Sequence, residues 1–303
     1  MNTHGYTYEG AREASERVHW KVEDLIGGDK HLDFSKPFMP DYFARAESLT
    51  FLSPSERLKL NQIRGLGYLY TFGLVEEFIV HSSSTTRGPC YTATPPRCGH
   101  CSGSPPRRPS IDLFRRFRAD FESGFGTQCQ VIGPPDAVAK AMLGHSPLSV
   151  ALTILHIEWM TQRHWIESVR DNQDLDPQFK SLLKHHWLEE SQHAKLDTLL
   201  VGELSRNLDA PAIDSAVSEY LEIGGMLDGA LAQQVEFDVD NLARATGRSL
   251  STAERQAFVR SQMPGQRWTY LGSGMTHPKF VGALTDLSPA AAERVAKVAE
   301  ALS

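Results

Sequence analysis

Residues 184–197 read Lys184-His-His-Trp-Leu-Glu-Glu-Ser-Gln-His-Ala-Lys-Leu-Asp197. Within this stretch His186, Glu190, His193 and Asp197 recur at steps of four, three and four. On an α-helix that spacing stacks all four side chains on one face. Leu182, Leu183, Leu196, Leu199 and Leu200 make the surroundings apolar and turn the polar stripe inward. Buried imidazoles and carboxylates are costly unless they are paired or bound to metal. A solvated helix face is the competing explanation, since Glu189-Glu-Ser-Gln-His-Ala-Lys195 also suits water. Two histidines and a glutamate in register exceed what an ordinary surface helix shows. Asp197, one turn beyond His193, is placed to orient it from behind, as carboxylates often do for metal-bound histidines. Glu189 and His185 fall off the stripe and are expected at the surface or against a neighbouring helix.

The rest of the chain is also read as helical. Ser53-Pro54-Ser55-Glu56 combines a capping serine, a proline suited to the first helical position and a capping-box glutamate. It predicts a helix over Pro54–His81, apolar on most sides in its second half. Further helices are expected at Ala11–Leu25, Ile111–Phe121, Asp136–Leu143, Leu148–Arg170, from Pro177 to about Leu204, at Pro211–Thr246, Thr252–Met263 and from Pro289 to Leu302. Residues 266–286 read as a packed irregular segment or short helix. No run alternates with a period of two as a strand would. The expected fold class is all-α, in a single domain with its core over about 54–205 and a helical extension over 206–303.

Composition narrows the function classes. The chain has 303 residues, a net charge of −6 and 41% hydrophobic residues, as in an ordinary globular domain. No long basic run points to nucleic acid. No apolar run is long enough for a membrane span, and the first residues lack a signal-peptide pattern. A cytoplasmic location is the expectation. Four cysteines in a chain of this size do not make a disulfide framework.

Two more helices carry acids in apolar settings. Glu158 lies among Ile154, Leu155, Ile157, Trp159 and Met160, where an unpaired carboxylate would be expensive. A salt bridge to Arg163 or Arg170 is the alternative, but beside His186, Glu190 and His193 a metal-facing role is favoured. His156 and His164 do not share its face. Glu76 and Glu77 sit deep in the Pro54–His81 helix about 100° apart, so only one faces the core.

A glutamate on one helix, a glutamate on a third and His-x-x-x-Glu-x-x-His on a fourth resemble the ferritin-like di-iron carboxylate proteins, whose sites are built from Glu-x-x-His units in a helix bundle. His186, additional to the usual ligands, and the interval of about 30 residues from Glu158 to Glu190 are similar to the p-aminobenzoate N-oxygenase branch. The resemblance covers roughly residues 54–205 and implies a ferritin-like four-helix bundle core with additional N- and C-terminal helices. It implies Glu77 (or Glu76), Glu158, His186, Glu190 and His193 as metal ligands, with Asp197 behind them. It also implies two iron ions, with manganese as the alternative metal. The implied activity is dioxygen activation and N-oxygenation or hydroxylation of a small organic substrate, with electrons from an external donor. Trp159, Trp187, Tyr68, Tyr70 and Phe72 are candidates to line a substrate cavity.

One part of the pattern is missing. A second Glu-x-x-His belongs just before Leu113, and residues 82–110 instead hold six of the 17 prolines and no Leu, Ile, Val, Met or acid. Prolines at 105, 106 and 109 break a helix there. One choice of codons for Pro106–Ile111, read in the next register, spells Glu-Glu-Ala-Lys-His, and the same register over Arg97–Pro106 can give an amphipathic run. Residues of about 82–110 are therefore read as translated out of frame. A zinc site from Cys90, Cys98, His100 and Cys101 is the rival, with a single C-x-x-C behind it. The alternative function is a non-catalytic ferritin-like iron-binding protein, or an inactive homologue with a broken site. A third expectation is partner binding or a homodimer surface on Pro211–Thr246, which has one acidic and one apolar face.

Overall fold

The computed structural model describes residues 5–85 and 109–302, and among them the chain is helical with no strand. In chain order the helices are α1 (Tyr8–Ser15), α2 (Asp41–Ala44), α3 (Pro54–Thr85), α4 (Pro109–Phe125), α5 (Pro135–Leu143), α6 (Pro147–His164), α7 (Pro177–Ser205), α8 (Ala210–Thr246), α9 (Thr252–Arg267), α10 (Ser273–Met275), α11 (Pro278–Leu287) and α12 (Pro289–Ala301). The expected first helix is cut short at Ser15, and only a 3₁₀ turn, Val22–Asp24, represents its second half. Of the two expectations for 266–286, an irregular segment or a short helix, the helical one holds: a π-turn, Trp268–Gly272, is followed by α10 and α11. A second π-turn, Trp165–Val169, continues α6.

Local chemistry sets most boundaries. At the start of α3 the Ser53 N–H donates to Glu56 and the Glu56 N–H donates back to Ser53 Oγ, the reciprocal capping box. The side chains of Asp176 and Asp209 cap α7 and α8, and α8 stops at Gly247 because its φ of +69° suits glycine.

α3 and α4 run antiparallel, as do α6 and α7. In the first pair Phe72 meets Phe114 and Tyr70 lies under Arg118. In the second Gln162 donates to the Trp187 carbonyl and Trp165 stacks on Trp187. α8 packs against α3 and α6, and the C-terminal helices close over α6. The non-helical lead-in is fastened to α3 by polar side chains. Asn61 Oδ1 accepts from the N–H groups of Phe38 and Met39, and Gln62 Nε2 donates to the carbonyls of Phe34 and Lys36. Phe38 then stacks on Phe179 of α7 with ring centroids 5.2 Å apart. A Cβ added at Gly65 would lie 2.9 Å from the Phe38 Cβ, so only glycine lets the lead-in approach α3 this closely. No described helix is long and apolar enough to cross a membrane.

Candidate metal centre

Three helices bring five ionisable side chains to one buried point. α3 supplies Glu76, α6 supplies Glu158, and α7 supplies His186, Glu190 and His193. They form two groups able to hold an ion, Glu76–His186–Glu190 and Glu158–Glu190–His193, each with its donor atoms within 4.8 Å of one another. Glu190 belongs to both. Its Oε1 lies 3.1 Å from His186 Nε2 and its Oε2 lies 2.8 Å from His193 Nδ1. Glu76 Oε1 is 3.5 Å from the same His186 nitrogen. Metal–ligand bonds of about 2.0–2.2 Å place the donors of one ion up to about 4.4 Å apart, so small side-chain adjustments would close either group around a cation.

Several of these atoms lack the partners that burial normally demands. Glu158 Oε2, Glu190 Oε1 and both ring nitrogens of His186 are buried without a hydrogen bond. His186 Nε2 and Glu190 Oε1 are close but poorly aligned for a hydrogen bond, as two donors aimed at a common cation would be. Phe72 and Phe114 hold the His186 ring instead, edge-on at 5.1 and 4.9 Å between centroids. Orphaned buried polar groups are rare and costly in native proteins. A cation in each group would satisfy the Glu158 and Glu190 oxygens and His186 Nε2, and the set of carboxylates and imidazoles suits iron, manganese or zinc.

The electrostatics follow from crowding charges out of water. Burial works against a charged His186, but the Glu190 and Glu76 carboxylates outweigh it and hold its pKa up at about 10. His193 is held at about 9 in the same way, chiefly by Glu190. Burial, with Glu190 beside it, pushes the Glu158 carboxyl well above the usual range, and Asp197 and Glu76 add to that push. Glu190 goes the other way despite its own burial, because His193, the Glu158 carboxyl and His186 all favour its ionised form. Without metal, the ionised Glu190 carboxylate thus favours the protonated forms of His186 and His193, while the Glu158 carboxyl favours keeping its proton. A metal ion would replace protons, not fill a neutral cavity.

Glu77 is a correction. It turns away from the centre to pair with Arg115 on α4 at 2.7 Å, leaving Glu76 to face His186. The two are adjacent on α3, and only one direction points into the bundle. Glu189, expected at the surface or against a neighbouring helix, is half-buried, with one carboxylate oxygen enclosed and unpaired. Burial and then Glu190 push its pKa up to about 7. The i,i+4 relation of Glu189 to His193 was the available signal for its place beside the stripe.

His156 and His164 belong to a different system. Tyr68 donates to His164 Nδ1, and His164 Nε2 donates to Ser273 Oγ, whose own proton goes to the Thr269 carbonyl. Likewise Tyr220 donates to His156 Nδ1, and His156 Nε2 donates to the Tyr270 carbonyl. Of the aromatic candidates, Tyr68 and Phe72 are core, Trp187 stacks on Trp165, and Trp159 stacks on His277. Tyr70 lines a surface cavity of about 520 Å³ with Leu66, Arg118, Phe121 and Cys129. Most of residues 82–110, expected from the sequence to be out of frame, lies outside the described residues, as do Cys90, Cys98, His100 and Cys101 of the rival zinc site. No family, curated protein or solved structure matches the chain.

Proposed function

We propose that this protein is a ferritin-like di-metal carboxylate oxidoreductase that uses dioxygen to oxygenate a small organic molecule. One observation carries this reading: two buried Glu/His groups share Glu190, and their unpaired donor atoms face one another. Glu76 and His186 would hold one ion, Glu158 and His193 the other, with Glu190 common to both. A pair of redox-active ions there would supply electrons to dioxygen, replenished by an external donor. Iron is the proposed metal, with manganese as the alternative.

The chain's own residues have definite tasks. Glu158 gives up its proton to become a ligand, and His186 and His193 do the same. The Phe72 and Phe114 rings keep water from His186. The supporting experiment is metal analysis with dioxygen consumption on protein loaded anaerobically with ferrous iron. Two irons per chain and substrate-dependent oxygen uptake support the proposal, and a chain that binds no iron ends it.

A second reading, a ferritin-like iron-binding protein or an inactive homologue, is favoured by α4. Ser110 is the α4 residue that reaches Glu76, where the missing Glu-x-x-His would supply a histidine. Iron binding without oxygen uptake selects this reading. Resequencing the gene, or the intact mass of the natural protein, tests the out-of-frame proposal for residues of about 82–110; an in-frame natural gene encoding Cys98-Gly-His-Cys101 ends it.

A further inference from the structure

The surface cavity of about 520 Å³ between α3 and α4 stands apart from the metal centre. Its walls are Leu66 and Tyr70 of α3, Arg118 and Phe121 of α4, and Cys129 and Val131 of the segment that follows α4. Tyr70 and Glu77 are seven residues apart on α3 and so share a face, the one that Glu77 shows to be turned away from His186. Leu66 lies ten residues before Glu76, about 15 Å along the helix.

The wall beyond α4 is held by buried side chains of α8. Asn241 Oδ1 accepts from the Gln130 N–H while Asn241 Nδ2 donates to the Gln130 carbonyl, and Gln234 Oε1 accepts from the Ile132 N–H. Cys129 is an inert part of that wall. Burial above all pushes its thiol up to about 12, and the S–H donates to the Thr127 carbonyl, so it is neutral and no nucleophile.

Arg118 is the unmatched charge of the cavity. It is half-buried, its Nε is enclosed without a hydrogen bond, and it forms no ion pair among the described residues. Its guanidinium is steadied over the Tyr70 ring, 4.5 Å from the centroid. Glu122 also lines the cavity, but it is exposed to water, which screens it. Two more cations bear on the same wall. Lys59, over the Phe125 ring at 4.4 Å, and Arg244, bonded to Asn241, both act on Cys129. Asp238 opposes them there, but Arg64 lies 3.5 Å from it and offsets its charge. An enclosed cation without a partner is costly, and an anion would relieve it.

We propose that this cavity binds a small monocarboxylate with an apolar body, its carboxylate on Arg118 and its body against Leu66, Tyr70, Phe121 and Val131. The size and the mostly apolar lining with one placed charge are those of a ligand pocket. A guanidinium fork meets a carboxylate through two parallel hydrogen bonds, and one arginine balances one negative charge. The site needs no metal, so it stands or falls separately from the centre on α7.

The test uses the full chain, with and without cobalt(II), and octanoate as the probe, followed by isothermal titration calorimetry. Saturable octanoate binding is expected, equal in the two preparations. Octan-1-ol, of the same length without the charge, should bind at least about tenfold more weakly. Arg118→Gln should weaken octanoate binding by about tenfold or more. Cys129→Phe, which fills the cavity and leaves Arg118 in place, should weaken it as well. Should one variant fail to fold, the other carries the test together with octan-1-ol. Wild type that shows no saturable binding at millimolar octanoate overturns the proposal. So does octan-1-ol that binds as tightly, or a folded variant that binds octanoate like wild type. Octanoate held only by cobalt-loaded protein is a ligand of the metal, and that result overturns it too.

Discussion

Among the described residues of this bundle His156, His164 and His186 are buried and His193 is half-buried, and the four fall into two pairs with opposite proton affinity. His156 and His164 on α6 are surrounded by tyrosine and serine hydroxyls and backbone carbonyls. Burial, unopposed by any carboxylate, pushes them down to about 4 and about 3. His186 on α7 is just as enclosed and His193 is half-buried, but Glu190 touches both, and they are held at about 10 and about 9. Burial does not decide the charge of a histidine; the first neighbour does. The α6 pair is finished chemistry, every ring nitrogen partnered and the tautomers set. The α7 pair belongs to a group with protons to give up and donor atoms unsatisfied.

The comparison can be broken most decisively at Glu190, the one residue in both ligand groups. Glu190→Ala should weaken cobalt(II) or ferrous-iron binding by on the order of a hundredfold or more, as followed by isothermal titration calorimetry. His164→Ala should leave metal stoichiometry intact while costing about 2–5 kcal/mol of stability in urea unfolding. It opens a cavity and strands the Tyr68 hydroxyl. If His164→Ala abolished metal binding, the division between the two pairs would fail.

Stability against pH should show the two pairs in opposite windows. For His156 and His164 the folded pKa lies below the unfolded value of about 6.5, so the unfolded chain binds more protons between the two. Their contribution is present above that value and is lost as pH falls towards about 4 and about 3. For His186 and His193 in metal-free protein the folded pKa is raised. Their contribution is complete below about 6.5 and is lost as pH rises through about 9 and about 10. Urea unfolding from acid to alkaline pH, with and without cobalt, measures both limbs, and metal should flatten the alkaline limb by displacing the protons. The smallest effect is expected at Glu77. Its ion pair with the largely exposed Arg115 predicts that Glu77→Gln shifts stability by less than about 1 kcal/mol and leaves metal content unchanged. Glu76→Gln, one residue away, should lower metal affinity sharply.

Much of this was legible in the chain. The stripe of His186, Glu190 and His193 obeys the helical period, and a period needs no tertiary knowledge to read. Glu158 was visible because a carboxylate in an apolar helix has few other uses. The starts of α3, α7 and α12 were announced by capping residues ahead of proline. Glu76 and Glu77 were not separable, since both are acids in one apolar helix and only the packing of α4 against α3 turns one of them outward to Arg115. The lead-in's course along α3 was equally hidden. It depends on Asn61, Gln62 and Gly65 meeting Phe34–Met39 across a distance in sequence that no local pattern spans.

The sequence by itself determined that the chain is helical and that α7 carries an inward stripe of histidine and glutamate able to hold a metal. Periodicity and capping are local and act through the backbone of a single helix. Only the tertiary structure decided which histidines are charged, which of two adjacent glutamates faces the centre and that Ser110 is what α4 offers there. Each of those depends on which groups from other helices share a small volume closed to water, where a neighbour a few ångströms away outweighs anything the residue's own helix supplies.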